Sequence, residues 1–209
     1  MILMTETEAE NFLEKEKFPI ISRKLTKNYE EAKKYAQKIG FPVVLKIASP
    51  ELVHKTEKNA VVLNVTKESL KNTYQKLDNI KIKKQGILVQ KQIQGKTLIL
   101  GIKKDPVFKH IIMIGFGGIL SELIKDISIR LAPINKKEAE KMINELKLSP
   151  LITGFRGKKL CKEKIINLLV NLSNLPKKYP AILELDINPL IVGEKSATIV
   201  DARIIFEKI

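Results

Sequence analysis

The segment that most restricts the fold is AILELDINPLIVGEKSATIVDARI, residues 181–204. Apolar and polar residues alternate along its first half, as in a strand that buries one face. Turn-forming residues follow at 193–196, and a second apolar run then returns along the chain. The pattern predicts a β-hairpin, so this part of the sheet is expected to be antiparallel.

The first strand of this hairpin carries a polar row. By the two-residue period of a strand, Glu184, Asp186 and Asn188 share one face. Leu183, Leu185 and Ile187 are expected on the other face. A turn centred between Glu194 and Lys195 makes Asn188 the cross-strand partner of Asp201.

Oxygen ligands from neighbouring strands suit Mg²⁺, which takes its remaining ligands from water and nucleotide phosphates. Asp186, Asn188 and Asp201 would stand within about 5–8 Å of one another. The alternative is a solvated polar face. Asp201 favours the metal site, because it lies inside the apolar run ATIVDARI, where an uncompensated charge is costly.

The remaining elements mix helices and strands. Asn28 is placed to cap a helix that ends at Gly40, and apolar runs at 41–47 and 60–65 predict strands. Further helices are predicted at 5–17, 67–77, 135–147 and 161–175, with strands in 86–104 broken at Gln94-Gly95 and a strand at 110–116 running into a Gly-rich turn. We therefore expect an α/β (α+β) protein of two subdomains, 1–92 with an N-terminal helical segment at 1–25, and 93–209.

The composition excludes several classes. No apolar stretch reaches the roughly 20 residues of a membrane helix, so a cytoplasmic protein without membrane contact is expected. The single cysteine, Cys161, cannot form an internal disulfide. The net charge of +15 favours phosphate-bearing partners, but aromatic residues make up only 5% of the chain, so specific nucleic-acid binding is not expected.

Several other residues are candidates for phosphate chemistry. Lys46 lies inside the apolar run VVLKIA, where its ammonium either holds phosphate oxygens or reaches solvent from a strand edge. His54, in the polar loop SPELVHKTEKN, is either a phosphoryl-accepting nucleophile or a surface histidine. The turn GFGGIL, residues 115–120, would bring backbone amides close to a phosphate. His110 has no such neighbours in the sequence and is expected to be an ordinary surface histidine.

With these residues in view, the chain resembles the ATP-grasp (β) subunit of ADP-forming acetyl-CoA and acyl-CoA synthetases, relatives of the succinyl-CoA synthetase β subunit. The motifs that carry the resemblance are FPVVLKIASPELVHKTE, GIKKDPVF, GFGGILSELIKDISIRLAP, TGFRG, and ELDINPLIV followed by VDARI. They run in family order over nearly the whole chain.

The resemblance implies an ATP-grasp fold whose two α/β subdomains enclose a nucleotide cleft. It also implies a ligase that interconverts acyl-CoA, ADP and phosphate with the acid, CoA and ATP through phosphohistidine. The cofactors would be ATP/ADP and Mg²⁺. A CoA-binding α subunit would complete an α2β2 heterotetramer, without which the chain is not expected to turn over.

The resemblance also assigns roles to residues. It implies catalytic roles for His54, Lys46 and Glu122. It places Mg²⁺ at Asp186, Asn188 and Asp201. It places the nucleotide at Lys46, Ser49, Lys55, Thr56, Gln90, Gln92, Ile93, Gly117 and Gly118.

Four residues depart from the family pattern. Asn59-Ala60 stands where relatives have a Gly-Gly pair, and Lys91 and Thr97 replace frequent glutamates. Changed contacts are expected near the nucleotide sugar from Lys91, and a lost charge from Thr97. The alternative function is therefore a non-catalytic ATP-grasp module that binds nucleotide or acts as a scaffold.

Overall fold

The structure is a computed structural model that describes residues 1–49, 60–118, 126–154 and 159–208. The helices in these residues are α1 (Glu6–Lys15), α2 (Tyr29–Ile39), α3 (Leu70–Asp78), α4 (Lys136–Glu145), α5 (Pro150–Thr153) and α6 (Lys162–Lys178). The strands are β1 (Ile2–Leu3), β2 (Arg23–Thr26), β3 (Val43–Ala48), β4 (Val61–Val65), β5 (Gly86–Lys91), β6 (Lys96–Asp105), β7 (Lys109–Phe116), β8 (Ile127–Leu131), β9 (Ile182–Val192), β10 (Ala197–Ile199) and β11 (Ala202–Phe206).

The chain forms two compact units. The N-terminal unit contains residues 5–7 and 21–93, and the C-terminal unit contains residues 1–4, 8–20 and 94–209. The N-terminal helical segment was expected to belong with the first subdomain. Residues 8–20 instead group with the C-terminal unit, because Ala9, Leu13 and Phe18 belong to its hydrophobic core.

The N-terminal unit is an antiparallel sheet in the order β2-β5-β3-β4. Val43, Leu45 and Ile47 alternate onto one face of β3 and pack in a core with residues of α2 and α3. Lys46 therefore projects from the opposite face. Helix α2 starts and stops as predicted: the Asn28 side chain accepts a hydrogen bond from the Glu31 amide, and Gly40 follows with φ of 82°.

The C-terminal unit contains a larger antiparallel sheet in the order β1-β11-β9-β6-β7-β8, with β10 also paired to β9. Its buried face carries aliphatic side chains of β6, β7 and β9, which form one core with α1, α4 and α6. Each fully buried Leu or Ile of such a core stabilises the fold by about 1.5–3 kcal/mol. The break between β5 and β6 falls at Gly95, where a Cβ atom would lie 2.5 Å from the Val192 carbonyl oxygen.

Both sheets fit the predicted α+β class, but three strands, β1, β2 and β8, were not predicted. Strand β2 is four residues long and carries Arg23 and Lys24, so its composition gave little β signal. Strand β8 alternates apolar and polar residues, but it exposes the apolar Ile127, Ile129 and Leu131 at the edge of the sheet. Among the described residues, no helix combines the length and apolar character needed to cross a membrane.

Candidate active site

The C-terminal hairpin has the predicted register. Strand β10 pairs with β9 through Ile199 and Leu190, and β11 resumes the same register with Ala202 opposite Ile187. Between these pairs the Asn188 amide donates to the Asp201 carbonyl over 3.2 Å. The prediction that Asn188 faces Asp201 across the hairpin is confirmed.

The predicted alternation of faces needs one correction, at Leu183. A register shift between the Ile205 and Phe206 pairs places Ile182, rather than Leu183, in the core. The bulge lets one extra residue enter β9, so the two-residue period restarts beyond it. Glu184, Asp186 and Asn188 still alternate with buried Leu185 and Ile187, so the polar row is preserved.

Asp186 lies in surroundings that disfavour its ionised form. Burial, followed by the nearby charges of Glu184 and Asp201, raises the pKa of its carboxyl to about 6, although Arg203 acts in the opposite direction. The influence of Asp201 on Asp186 is consistent with both side chains sharing one face of the sheet. A bound cation would relieve this repulsion.

The donor set suits a magnesium ion that is only partly coordinated by protein. Among the described residues, no three His, Cys, Asp or Glu side chains form a complete metal cluster. The row instead offers two carboxylates, Asp186 and Asp201, and the exposed amide of Asn188. Mg²⁺ characteristically binds through one or two carboxylates and completes its shell with waters and substrate phosphates. The residues present therefore fit the ion.

Arg203 was missed by sequence reasoning. It stands directly opposite Asp186, two residues after Asp201 on the same face. Its Nε is buried and has no hydrogen-bond partner within the described ranges. The hairpin register that predicted the Asn188–Asp201 pair contained this information, because the next pair on that face is Asp186 with Arg203.

A pocket of about 170 Å³ opens beside Asp186 on the same face of the C-terminal sheet. Glu184 and Lys103 contribute charged groups to its wall, and Met113 and Ile129 contribute apolar ones. Gly101, which pairs with Asp186 on β6, leaves this space open because it has no side chain.

Lys46 is buried in the N-terminal unit, with 6% of its surface exposed. Strand β3 is flanked by β4 and β5, and Lys46 pairs with Val61 and Leu88. Its ammonium donates a hydrogen bond of 2.7 Å to Oε1 of Glu6. The alternative that Lys46 extends from a strand edge into solvent is therefore wrong. Glu6 was not predicted, because nothing in an amphipathic helix start signals a distant lysine partner.

The other predicted nucleotide residues of the N-terminal unit differ in their availability. The Ser49 hydroxyl donates to the Lys83 carbonyl over 2.6 Å, and Gln90 is buried on β5. The Gln92 side-chain amide bonds both the backbone and the side chain of Asn64. Ile93, half-buried, is the last residue of this unit. Their roles toward a nucleotide stay predictions.

The glycine turn is held by Thr97. The Gly117 amide donates to the Thr97 carbonyl over 2.8 Å, and the Thr97 hydroxyl donates to the Gly117 carbonyl over 2.9 Å. The Gly117 amide is thus already bonded within the protein, which corrects the expectation that it is bare for a phosphate. Gly118, with φ of 93°, turns the chain in a conformation that favours glycine.

Several predicted residues lie outside the described residues, namely His54, Lys55, Thr56 and Glu122. Asn59 and most of the TGFRG motif do as well. His110 is described: it is buried, and its Nε2 lies 2.8 Å from the Ile182 carbonyl oxygen. The surface position expected for it is therefore wrong.

Comparison with known proteins defines the class. Residues 2–206 match the ATP-grasp domain family. The chain is 38% identical to subunit beta of acetate–CoA ligase [ADP-forming] II of Pyrococcus furiosus, over 98% of this chain and 92% of the relative. It is 40% identical to acetate–CoA ligase [ADP-forming] I of Archaeoglobus fulgidus, over 87% of this chain but 28% of that protein. The chain thus spans a separate beta subunit almost entirely and less than a third of the longer ligase.

A solved structure agrees with these sequence matches. It contains acetyl-coenzyme A synthetase 1 of Ca. Korarchaeum cryptofilum with coenzyme A and Mg-AMPPCP, its phosphohistidine segment pointing towards the nucleotide binding site. The TM-score is 0.86 at 37% identity, covering 98% of this chain and 93% of that one. The chain therefore belongs to the ATP-grasp family and, within it, to the β subunits of ADP-forming acetate–CoA ligases, as the sequence predicted.

Proposed function

We propose that this chain transfers a phosphoryl group between a phosphohistidine and Mg-ADP, as the β subunit of an ADP-forming acyl-CoA synthetase. The full reaction converts acyl-CoA, ADP and phosphate to the acid, CoA and ATP. The observation that carries the proposal is the facing pair Asn188 and Asp201 with Asp186 beside it, on a chain of this family.

The residues divide the work by their chemistry. Asp186, Asn188 and Asp201 would hold Mg²⁺, which supplies charge neutralisation for nucleotide phosphates when bound. Lys46 supplies a positive charge to the phosphate oxygens, and His54 accepts the phosphoryl group on an imidazole nitrogen. Phosphoryl transfer depends mainly on positioning and electrostatic stabilisation, so a few charged groups suffice.

The proposed partner is a CoA-binding α subunit, in a cytoplasmic α2β2 assembly. The support is a difference in length among relatives. The Pyrococcus furiosus relative is a separate subunit beta of nearly the same length, whereas the Archaeoglobus fulgidus ligase continues far beyond the matched segment. By analogy with that separate subunit beta, we propose that a second polypeptide supplies the CoA-binding function. The remaining proposed contacts of the nucleotide or the phosphohistidine are Glu122, Lys55, Thr56, Ser49, Gln90, Gln92, Ile93 and Gly118.

Labelling with γ-³²P-ATP and Mg²⁺, with and without the CoA-binding subunit, tests the transfer. We expect acid-labile, base-stable label that disappears in His54→Ala and survives in His110→Gln. The latter is the matched control, because the chain contains two histidines. Asp201→Asn should slow labelling at least about tenfold, since even outer-shell metal partners have effects of that size.

The outcome against the proposal is equally specific. Tight Mg-nucleotide binding without label, in the presence of the CoA-binding subunit, would identify a non-catalytic ATP-grasp module. Label that survives in His54→Ala would move the phosphoryl acceptor to another residue.

A further inference from the structure

The buried ion pair between Lys46 and Glu6 has no place in the function proposed so far. Both side chains are more than nine-tenths buried, with 7% and 4% of their side-chain surface exposed, and their charged atoms are 2.7 Å apart. Breaking such a pair by removing one partner leaves a buried charge without compensation. The carboxylate of Glu6 therefore affects whether the Lys46 side chain is protonated.

Charged groups near Lys46 can be identified from the strand pairing. Lys46 pairs with apolar Val61 and Leu88. Val44, two residues before Lys46 on β3, lies on the same face of the sheet. It pairs with Gln90 of β5, and Gln90 pairs in turn with Arg23 of β2. Strands β2, β4 and β5 thus place one cation and no anion on this face. Among the described residues, the carboxylate paired with Lys46 comes from Glu6 of α1. A second carboxylate of this helix, that of Glu10 one turn further along, is also fully buried.

A lysine in such surroundings would release its proton easily. Burial disfavours the ammonium form of a lysine. A carboxylate at 2.7 Å reverses this effect. We propose that Glu6 is a positioning residue that keeps Lys46 protonated and fixed, so that its charge is ready for the phosphates of a nucleotide.

This inference rests on the proposed function only for the identity of the ligand. The effect of Glu6 on Lys46 exists without nucleotide and can be measured separately. Glu6→Gln keeps the size and hydrogen-bonding capacity of the side chain and removes its charge. Glu8→Gln is the matched control, because Glu8 is an exposed residue of the same helix.

The first experiment follows unfolding by urea from pH 6.5 to pH 9.5 without nucleotide. In Glu6→Gln the folded state binds Lys46's proton more weakly than the unfolded state, so stability should rise with pH relative to wild type. The stability deficit should shrink across this range. It should lose its pH dependence in Glu6→Gln combined with Lys46→Met, and Glu6→Asp should partly rescue it. A deficit that is constant with pH would overturn the proposal.

The second experiment measures Mg-AMPPCP binding by calorimetry at pH 8.5 in buffers of different ionisation enthalpy. Wild type and Glu8→Gln should bind with little proton uptake. Glu6→Gln should take up as much as about one proton per nucleotide, because the phosphates now restore the charge on Lys46. Its affinity should weaken up to about tenfold per pH unit on the alkaline side, while wild type changes little.

The two experiments separate the possible failures. If wild type binds no Mg-AMPPCP, the proposed function fails, while the unfolding experiment still decides whether Glu6 sets the charge of Lys46. If wild type binds and Glu6→Gln shows neither proton uptake nor a pH-dependent affinity, Lys46 does not depend on Glu6, and the inference is wrong.

Discussion

Asp186 shows how a single carboxyl can reduce the stability of the fold that supports the site. Its pKa rises from 3.8 to about 6 in the folded protein, so the folded state binds the proton more tightly than the unfolded state. Stability therefore falls as the pH rises through this range. Asp186→Asn, in chelator, should stabilise the protein at pH 8 on the order of 1–2 kcal/mol.

This gain should largely disappear towards pH 4, where Asp186 is protonated in the folded state and partly protonated in the unfolded state. Urea unfolding at the two pH values measures it. Glu163→Gln, on the exposed start of α6, changes the net charge equally and should show no such dependence. If Asp186→Asn is no more stable than wild type at pH 8, the negative row is not the unfavourable cluster described above.

Thr97 offers a second test at the level of one side chain. Its hydroxyl donates a hydrogen bond to the Gly117 carbonyl. Thr97→Val keeps the shape and leaves that carbonyl without its side-chain partner, so a loss of about 1 kcal/mol in unfolding free energy is expected. Thr97→Ser keeps the hydroxyl and should retain most of the stability. Equal losses in both variants would show that the methyl group, not the hydrogen bond, fixes the turn.

At these positions the sequence predicted the contacts that arise from strand pairing within the hairpin. It did not predict the contacts that arise from tertiary packing. Asn188 and Asp201 could be paired from the turn position alone. The Glu6–Lys46 pair joins residues 40 positions apart in the sequence, and no local pattern encodes it. The bond that occupies the Gly117 amide also depends on the packing of β6 beside β7.

Among the elements, those with a complete local signal were predicted. Helix α2 has a cap, acidic first-turn residues and a terminal glycine, and its observed bounds follow from them. Strand β2 lacked such signals, because its position depends on pairing with β5. The bulge that shifts Leu183 was also unpredictable, since it arises from the way β11 meets β9.

Helix α2 provides a test of this local logic. Asn28→Ala removes the side-chain oxygen that accepts from the Glu31 amide over 2.9 Å, and should cost about 1 kcal/mol. Asn28→Asp preserves the acceptor and favours the helix dipole, so it should be close to wild type. Thermal and urea unfolding measure both variants. A loss in Asn28→Asp as large as in Asn28→Ala would exclude capping as the cause.

At the scale of the whole molecule, the two cores are built from different numbers of chain segments. The core of the N-terminal unit comes from residues 32–89. The core of the C-terminal unit draws on both ends of the chain, because Ala9, Leu13 and Phe18 pack with residues 98–204. Strand β1 also pairs with β11. The N-terminal unit is thus largely an insertion between residues 20 and 94 of the C-terminal unit.

This arrangement predicts how fragments behave. Residues 94–209 alone lack three buried core side chains and a strand, and each missing large side chain costs about 2–5 kcal/mol, comparable in sum to the stability of a domain. That fragment should not fold on its own.

A chain joining residues 1–20 to 94–209 through a short Gly/Ser linker should fold, and circular dichroism with urea unfolding distinguishes the two. A matched fusion with Leu13→Asp should fail like the fragment, since it buries an unpaired charge in the same core. A cooperative unfolding transition in residues 94–209 alone would show that the N-terminal segment covers a core that is already complete.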